Sequence, residues 1–329
     1  MRLTLWIDPN ENGLLNPMDQ IINLILPILI VVLAGYCAAR FHILDKGTGN
    51  VLCQYLFYFS LPFLTFTNIY RAGLDNLLNG RFILTAILTI FGIILLAYFV
   101  FRFLFRSEGQ NLIMMIFGSF YVNATYVGVP VASMILSSVV PPLIILMIQA
   151  SFFFPLTVFL MDVNSGKKSH IHFKDSLLLL VRNPILVATL IAIVLLVFQI
   201  RVPQFVLTTT ELFGKPAAAT GLFALGFTCY LPADQKITKP EIRRALTVTL
   251  FKTFLQPLLA WSIGRFIFHL DSWWLTAIVV CAMLPTAVNH FIVSQKYRCS
   301  ENESKLIILF TTFGFTIMVS LFLYFSAGF

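Results

Sequence analysis

Charge is what this sequence has least of. Asp, Glu, Lys and Arg together make up 11% of the 329 residues, against 59% hydrophobic residues. A soluble domain carries roughly 25% charged residues to cover its surface, so the chain has no room for a large soluble body. Nucleotide and hydrolase signatures are missing too. No G-x-x-x-x-G-K-[ST] loop is present, which argues against a primary pump, and no H-E-x-x-H or G-x-S-x-G recommends a membrane enzyme. Cysteine is sparse: Cys37, Cys53, Cys229, Cys281 and Cys299 show no C-x-x-C spacing and no partnered histidines, and read as buried, reduced thiols. The first 19 residues, with Asp8, Glu11 and Asp19, are too polar and mixed in charge for a signal peptide. The net charge of +8 does not point to nucleic acid, because the basic residues are dispersed through short loops.

What is abundant is apolar sequence. Mean hydropathy is +0.90 and 34 residues are Phe. Runs of about 20 apolar residues mark an integral membrane protein. Ten spans are expected, at 18–39, 48–70, 81–105, 110–138, 140–163, 176–199, 203–231, 241–268, 273–298 and 303–326. Lys and Arg concentrate in cytoplasmic loops. With both termini outside the cytoplasm, the inner segments hold fourteen of them and the outer segments only five: Arg2, Arg71, Arg81, Arg201 and Arg265. This bias predicts a multi-pass protein of the cell membrane with both ends extracytoplasmic.

The most polar interior stretch, Asp162 to Asp175, falls at the chain midpoint and leaves five spans on each side. The organisation expected is an N-terminal tail (1–17), a first repeat (18–163), a cytoplasmic linker (164–175) and a second repeat (176–329). Short matches run in the same order through both halves. L-P-I-L-I-V-V-L-A at Leu26 pairs with N-P-I-L-V-A-T-L-I at Asn183, L-I-I-L at Leu143 with Leu306, and Pro62 with Pro216. An odd number of spans per copy forces the second copy to enter from the opposite side, which makes an inverted repeat, the common scaffold of secondary transporters.

The fourth span contains N-A-T-Y-V-G-V-P, Asn123 to Pro130, and the same correspondence sets Asn289 in the ninth span opposite Asn123. Interrupted backbone in lipid leaves N–H and C=O groups unpaired, at several kcal/mol each, unless protein or a wet cavity surrounds it. Two breaks in equivalent places are expected to face each other and cross. Half-helix N-termini there carry partial positive charge, and the asparagine amides can cap them or touch a ligand. A plain kink at Gly128 and Pro130, with Asn123 bonded to a neighbouring helix, is the simpler alternative.

These residues resemble the auxin efflux carrier family in its short bacterial form, with malate and malonate permeases among its members. The resemblance covers about residues 20–326 and rests on N-x-x-x-x-G-V-P, S-L-P-F-L-T-F at Ser60, R-N-P-I-L at Arg182, G-L-F-A-L-G at Gly221, K-T-F-L-Q-P-L-L at Lys252 and L-P-T-A-V-N-H-F at Leu284. It implies an all-α integral membrane fold. Ten transmembrane helices form two inverted five-helix repeats with broken, crossed helices 4 and 9, and a transport part moves like an elevator against a scaffold. It implies a small organic anion as substrate, such as malate, malonate or an auxin-like acid, and a homodimer. Two features depart from the family pattern: the proline of span seven comes early, at Pro216, and His290 follows Asn289 without being required.

The expected substrate contacts are Asn123, Ala124, Gly128, Val129, Pro130, Asn289, His290 and Lys252. Ionisable residues at depth are few and costly. His290 adjoins the break and titrates near neutral pH, so it either couples transport to protons or satisfies a freed carbonyl. Glu211 is a second coupling candidate, although its spacing predicts an ion pair with Lys215. Lys252 either snorkels or lines the cavity, and Arg182 snorkels near a helix start. No cofactor and no metal are expected, with coupling to H+ or Na+ left open. An anion channel and a membrane-embedded sensor on the same scaffold are the competing functions.

Overall fold

The computed structural model describes residues 17–45, 47–73, 79–165, 184–228, 230 and 237–326. Most of the N-terminal tail, most of the expected linker, and Arg182 lie outside the described residues. Within them the fold is all-helical, with no strand and one isolated β-bridge. The helices are α1 (Pro17–Arg40), α2 (48–72), α3 (Gly80–Leu104), α4 (Gly109–Phe120), α5 (124–135), α6 (Val140–Val163), α7 (Pro184–Val197), α8 (Gln204–Gly214), α9 (Ala217–Thr228), α10 (Lys239–Ile267), α11 (Ser272–Met283), α12 (Asn289–Tyr297) and α13 (Glu301–Ser326).

Local chemistry sets many of these ends. Asn79 caps α3 by accepting from the Phe82 N–H, and Asp271 caps α11 by accepting from Trp273 and Trp274. Thr238 and Glu241 form a capping box at the start of α10. Prolines inside helices are accommodated in a recurring way. Pro62, Pro130, Pro155 and Pro257 each follow by two residues a π-helical turn, at Leu56–Ser60, Ala124–Gly128, Gln149–Phe153 and Phe251–Leu255. A proline lacks an N–H and collides with the carbonyl four residues back. The wider π turn moves that carbonyl aside, so the helix continues without breaking.

Four helices are long and apolar enough to cross a membrane among the described residues: α3, α6, α10 and α13. Their outer faces say what surrounds them. Leu84, Leu88, Phe91 and Leu95 form an exposed apolar stripe on α3, as do Leu246, Leu250, Phe254 and Leu258 on α10. A helix that is apolar on its exposed face is matched by lipid rather than water. The inner faces pack as one buried core around α2, α5, α6 and α11, and a second around α3, α4, α10 and α13. Both border the gaps between α4 and α5 and between α11 and α12. Span seven, expected as one helix, is two: α8 ends at Gly214 and α9 begins at Ala217, because Pro216 removes a donor from the turn between them.

Candidate functional site

The two gaps, 121–123 and 284–288, lie side by side and are joined through the main chain. The Asn123 N–H donates to the Pro285 carbonyl (2.7 Å), and the Ala287 N–H donates to the Tyr121 carbonyl (3.2 Å). This pairs Val122 with Thr286 in an antiparallel bridge. Side chains complete the accounting. The Thr286 hydroxyl donates to the Gly118 carbonyl (2.8 Å), and the Thr286 N–H donates to the Thr311 hydroxyl (3.2 Å). The amide of Gln149, in its best-satisfied orientation, acts as a peptide mimic. It accepts from the Val122 N–H and donates to the Val122 carbonyl, both at 3.2 Å. Unwound backbone away from water needs such partners, and here protein supplies them.

The two half-helices restart differently. Asn123 is the N-cap of α5: its Oδ1 accepts from the Tyr126 N–H (3.0 Å), and its carbonyl accepts from the Gly128 N–H (2.9 Å). Asn289 caps nothing. The start of α12 is a tight turn in which His290 donates to Ala287 (3.0 Å) and Phe291 donates to Val288 (2.9 Å), while the Asn289 side chain interacts with the Tyr121 hydroxyl. Several of the N–H donors expected to face a ligand are therefore already used internally. Side-chain groups remain: Asn123 is buried, and its Nδ2 has no partner.

Asn123 is one of the residues around a cavity of about 330 Å³. Its wall comes from the gaps and the helix starts that follow them (Tyr121 to Tyr126, Ala287 and Asn289), from α2 (Asn50, Cys53, Gln54, Phe57, Tyr58 and Leu61) and from Leu146, Ala150, Phe154, Ile292 and Gln295. No Lys, Arg, His, Asp or Glu is among them. The wall is largely apolar with neutral polar groups set into it: Asn50, Gln54 and Gln295 add three amides to those of Asn123 and Asn289, and three phenols and the Thr125 hydroxyl join them. Such a mixture suits orientation of a small polar ligand in a dry site.

Of the residues expected at the site, Asn123, Ala124 and Asn289 meet at this cavity. Gly128 and Val129 are buried behind it. A Cβ on Gly128 would come within 2.7 Å of Leu284, so glycine here lets the second gap approach the first. Pro130 stands in the first α-helical turn of α5. His290 points the other way, with Nε2–H donating to the Met114 carbonyl (2.8 Å) and the ring stacked on Phe117. Lys252 is buried with Nζ donating to Gln256 (2.8 Å), away from the cavity wall and not snorkelling. Glu211 pairs with Arg71 of α2 rather than with Lys215, although the Lys215 N–H still donates to the Glu211 carbonyl (2.8 Å) in helical register. The α2 wall went unread in the sequence. Its signal was Asn50 and Gln54, two amides one turn apart in an apolar run.

A family model described as "Membrane transport protein" matches residues 20–323. Curated relatives include the "Putative malonate transporter" of Rhizobium meliloti (strain 1021), 26% identical over 90% of this chain and 92% of its own length. The "Uncharacterized transporter YfdV" of Escherichia coli (strain K12) is 23% identical over 92% of this chain and 96% of its own, and the same figures hold for the Shigella flexneri protein of that name. The chain is a membrane transporter rather than an enzyme, and it belongs to the membrane transport protein family, the auxin efflux carrier-like group that its helix-break motifs resemble.

Proposed function

We propose that the protein is a secondary transporter of a small organic anion, a short carboxylate such as malonate or malate, bound where the two helix breaks meet. One observation carries this reading. Asn123 is 2% exposed, uses its oxygen to cap α5, keeps a buried Nδ2 donor without a partner, and is one of the residues lining a cavity of about 330 Å³. A buried donor without an acceptor is costly, and an anionic oxygen would relieve that cost. Asn289, Tyr121 and Thr125 are further neutral donors in the wall. The name of the Rhizobium relative agrees with this ligand class.

Ten spans in two inverted five-helix repeats are the scaffold of this reading. Support comes from features that recur 163 residues apart. α4 and α11 are both 12 residues long, at Gly109–Phe120 and Ser272–Met283. The π turns Val100–Leu104 and Ile263–Ile267 end α3 and α10. Left-handed residues recur at Arg106 and His269, and again at Ser137 and Ser300. Non-glycine residues adopt that conformation rarely, so coincidence is a poor account of both pairs.

Alternating access by an elevator motion completes the proposal. α2 borders the Asn123 cavity with its first half. With Asn68 and Arg71 it borders a second cavity of about 780 Å³, walled also by Ser137, Ser138, Trp273 and Trp274. By the basic-residue bias the first cavity lies toward the cytoplasm and the second toward the outside, with both termini out. A homodimer is the assembly we propose. The test is counterflow of labelled malonate in proteoliposomes, with thermal-shift screening of carboxylates beside it. Saturable exchange and stabilisation by carboxylates support the reading. Stabilisation only by cations or neutral sugars refutes it, and a continuous conductance in planar bilayers makes the protein a channel.

A further inference from the structure

Lys252 is a buried amine that the cavity does not use. It is 0% exposed in the π turn of α10. Its Nζ donates to Gln256 Oε1 (2.8 Å), and Gln256 Nε2 donates to the Phe120 carbonyl (3.2 Å), the last one of α4 before the break. The ion pairs Arg71–Glu211, Arg102–Glu108 and Arg244–Glu303 lie elsewhere. Behind the break, Val122, Thr89, Gln149, Gln256 and Cys281 border a void of about 10 Å³, the size of a single water site. One amide and one carbonyl therefore connect this amine to the segment whose far side faces the Asn123 cavity.

The surroundings offer it little charge. α3, α4, α11 and α13 pack against this turn. α4 carries no titratable side chain and α11 only Cys281. The titratable groups of α3 are Arg81, Tyr98 and Arg102, near its ends. Those described on α13 are Glu301, Glu303 and Lys305 in its first turns, with Glu303 held by Arg244. At the breaks, Tyr121 interacts with Asn289, and His290 is bonded to Met114. An ionisable side chain inside a membrane protein is costly to keep and marks ion or proton pathways.

We propose that Lys252 is a proton-binding site linked to occupancy of the cavity, so that a proton travels with the anion. The inference rests on the transport reading above. Negative charge entering the cavity and a proton on Lys252 stabilise each other across the thin break in a region poor in water, and that linkage is reciprocal. Gln256 is the positioning residue that ties the amine to the break.

Calorimetric titration of purified protein with malonate, in buffers of different ionisation enthalpy between pH 5 and 9, tests it. Wild type is expected to take up as much as one proton per malonate somewhere in that range. Lys252→Arg, which keeps the charge but does not titrate, is expected to bind malonate without that uptake. Lys252→Met is expected to lose the uptake and to bind about ten-fold more weakly. It also serves as the comparison if the arginine variant does not fold. Uptake equal to wild type in either variant, or none in wild type across the range, overturns the proposal. If no carboxylate binds wild type, the anion reading fails by itself. Lys252 is then judged on thermal unfolding without ligand: a wild-type-minus-Lys252→Met difference in Tm that varies with pH keeps the proton site, and a flat difference removes it.

Discussion

Replacing Asn123 separates two jobs that one side chain does. Its oxygen caps α5 through the Tyr126 N–H, and its nitrogen is buried without a partner in a residue that lines the cavity. Asn123→Ala removes both. Loss of the cap costs about 1 kcal/mol of stability. Loss of a hydrogen bond to an anionic ligand costs about 1.5–3 kcal/mol, which is roughly 10- to 100-fold in affinity. Asn123→Ser keeps a capping oxygen of nearly equal worth but cannot place a donor where the amide nitrogen was. The serine variant is therefore expected to unfold close to wild type and still bind malonate about 10- to 100-fold more weakly. Asn289 caps nothing but bonds the buried Tyr121 hydroxyl, so Asn289→Ala should weaken binding and cost about 1 kcal/mol of stability. Paired measurements of unfolding and of malonate affinity in detergent or nanodiscs read both quantities. If the serine variant binds like wild type while alanine does not, Asn123 acts only by holding the helix end. If both bind like wild type, the site is elsewhere.

Three other outcomes follow from the described contacts. His290→Gln should lower stability by about 1 kcal/mol through the Met114 contact and leave the pH profile of uptake unchanged; a changed profile would restore His290 as the coupling group. Gly226→Ala should cost about 3 kcal/mol, measurable as lost folded yield, because the new Cβ would overlap the Val32 carbonyl where α1 and α9 touch backbone to backbone; wild-type yield and Tm would contradict that packing. Glu211→Gln should cost under about 1 kcal/mol, since the Arg71 partner is more than half exposed, and should leave uptake rates intact; a lost proton dependence in transport assays would contradict this.

Much of the helical layout was legible because apolar runs, caps and prolines act locally. The breaks were legible for the same reason: asparagine, glycine and proline in an apolar run are hard to explain otherwise. What could not be read was direction. Lys252 was read as part of the eighth span, but which neighbour its amine meets depends on how α10 lies against α4, and the answer was Gln256 rather than the cavity. Glu211 looked paired with Lys215 because spacing is all a sequence offers, whereas Arg71 lies 140 positions away. His290 sits beside Asn289 in the chain, yet successive helical residues point about 100° apart, so one faces the cavity and the other the α4 backbone. The α2 wall was missed because isolated amides in a span resemble ordinary tolerance.

The Val122–Thr286 bridge sews the two half-helix pairs together through their main chains. Parting them would strand four peptide groups in oil, so they are expected to travel as one piece. The spacing between Asn123 and Asn289 is then the same whichever side of the membrane the solute arrives from. Under the alternating access proposed above, a carrier built on this seam would have one selectivity rather than two, the same for either direction of movement.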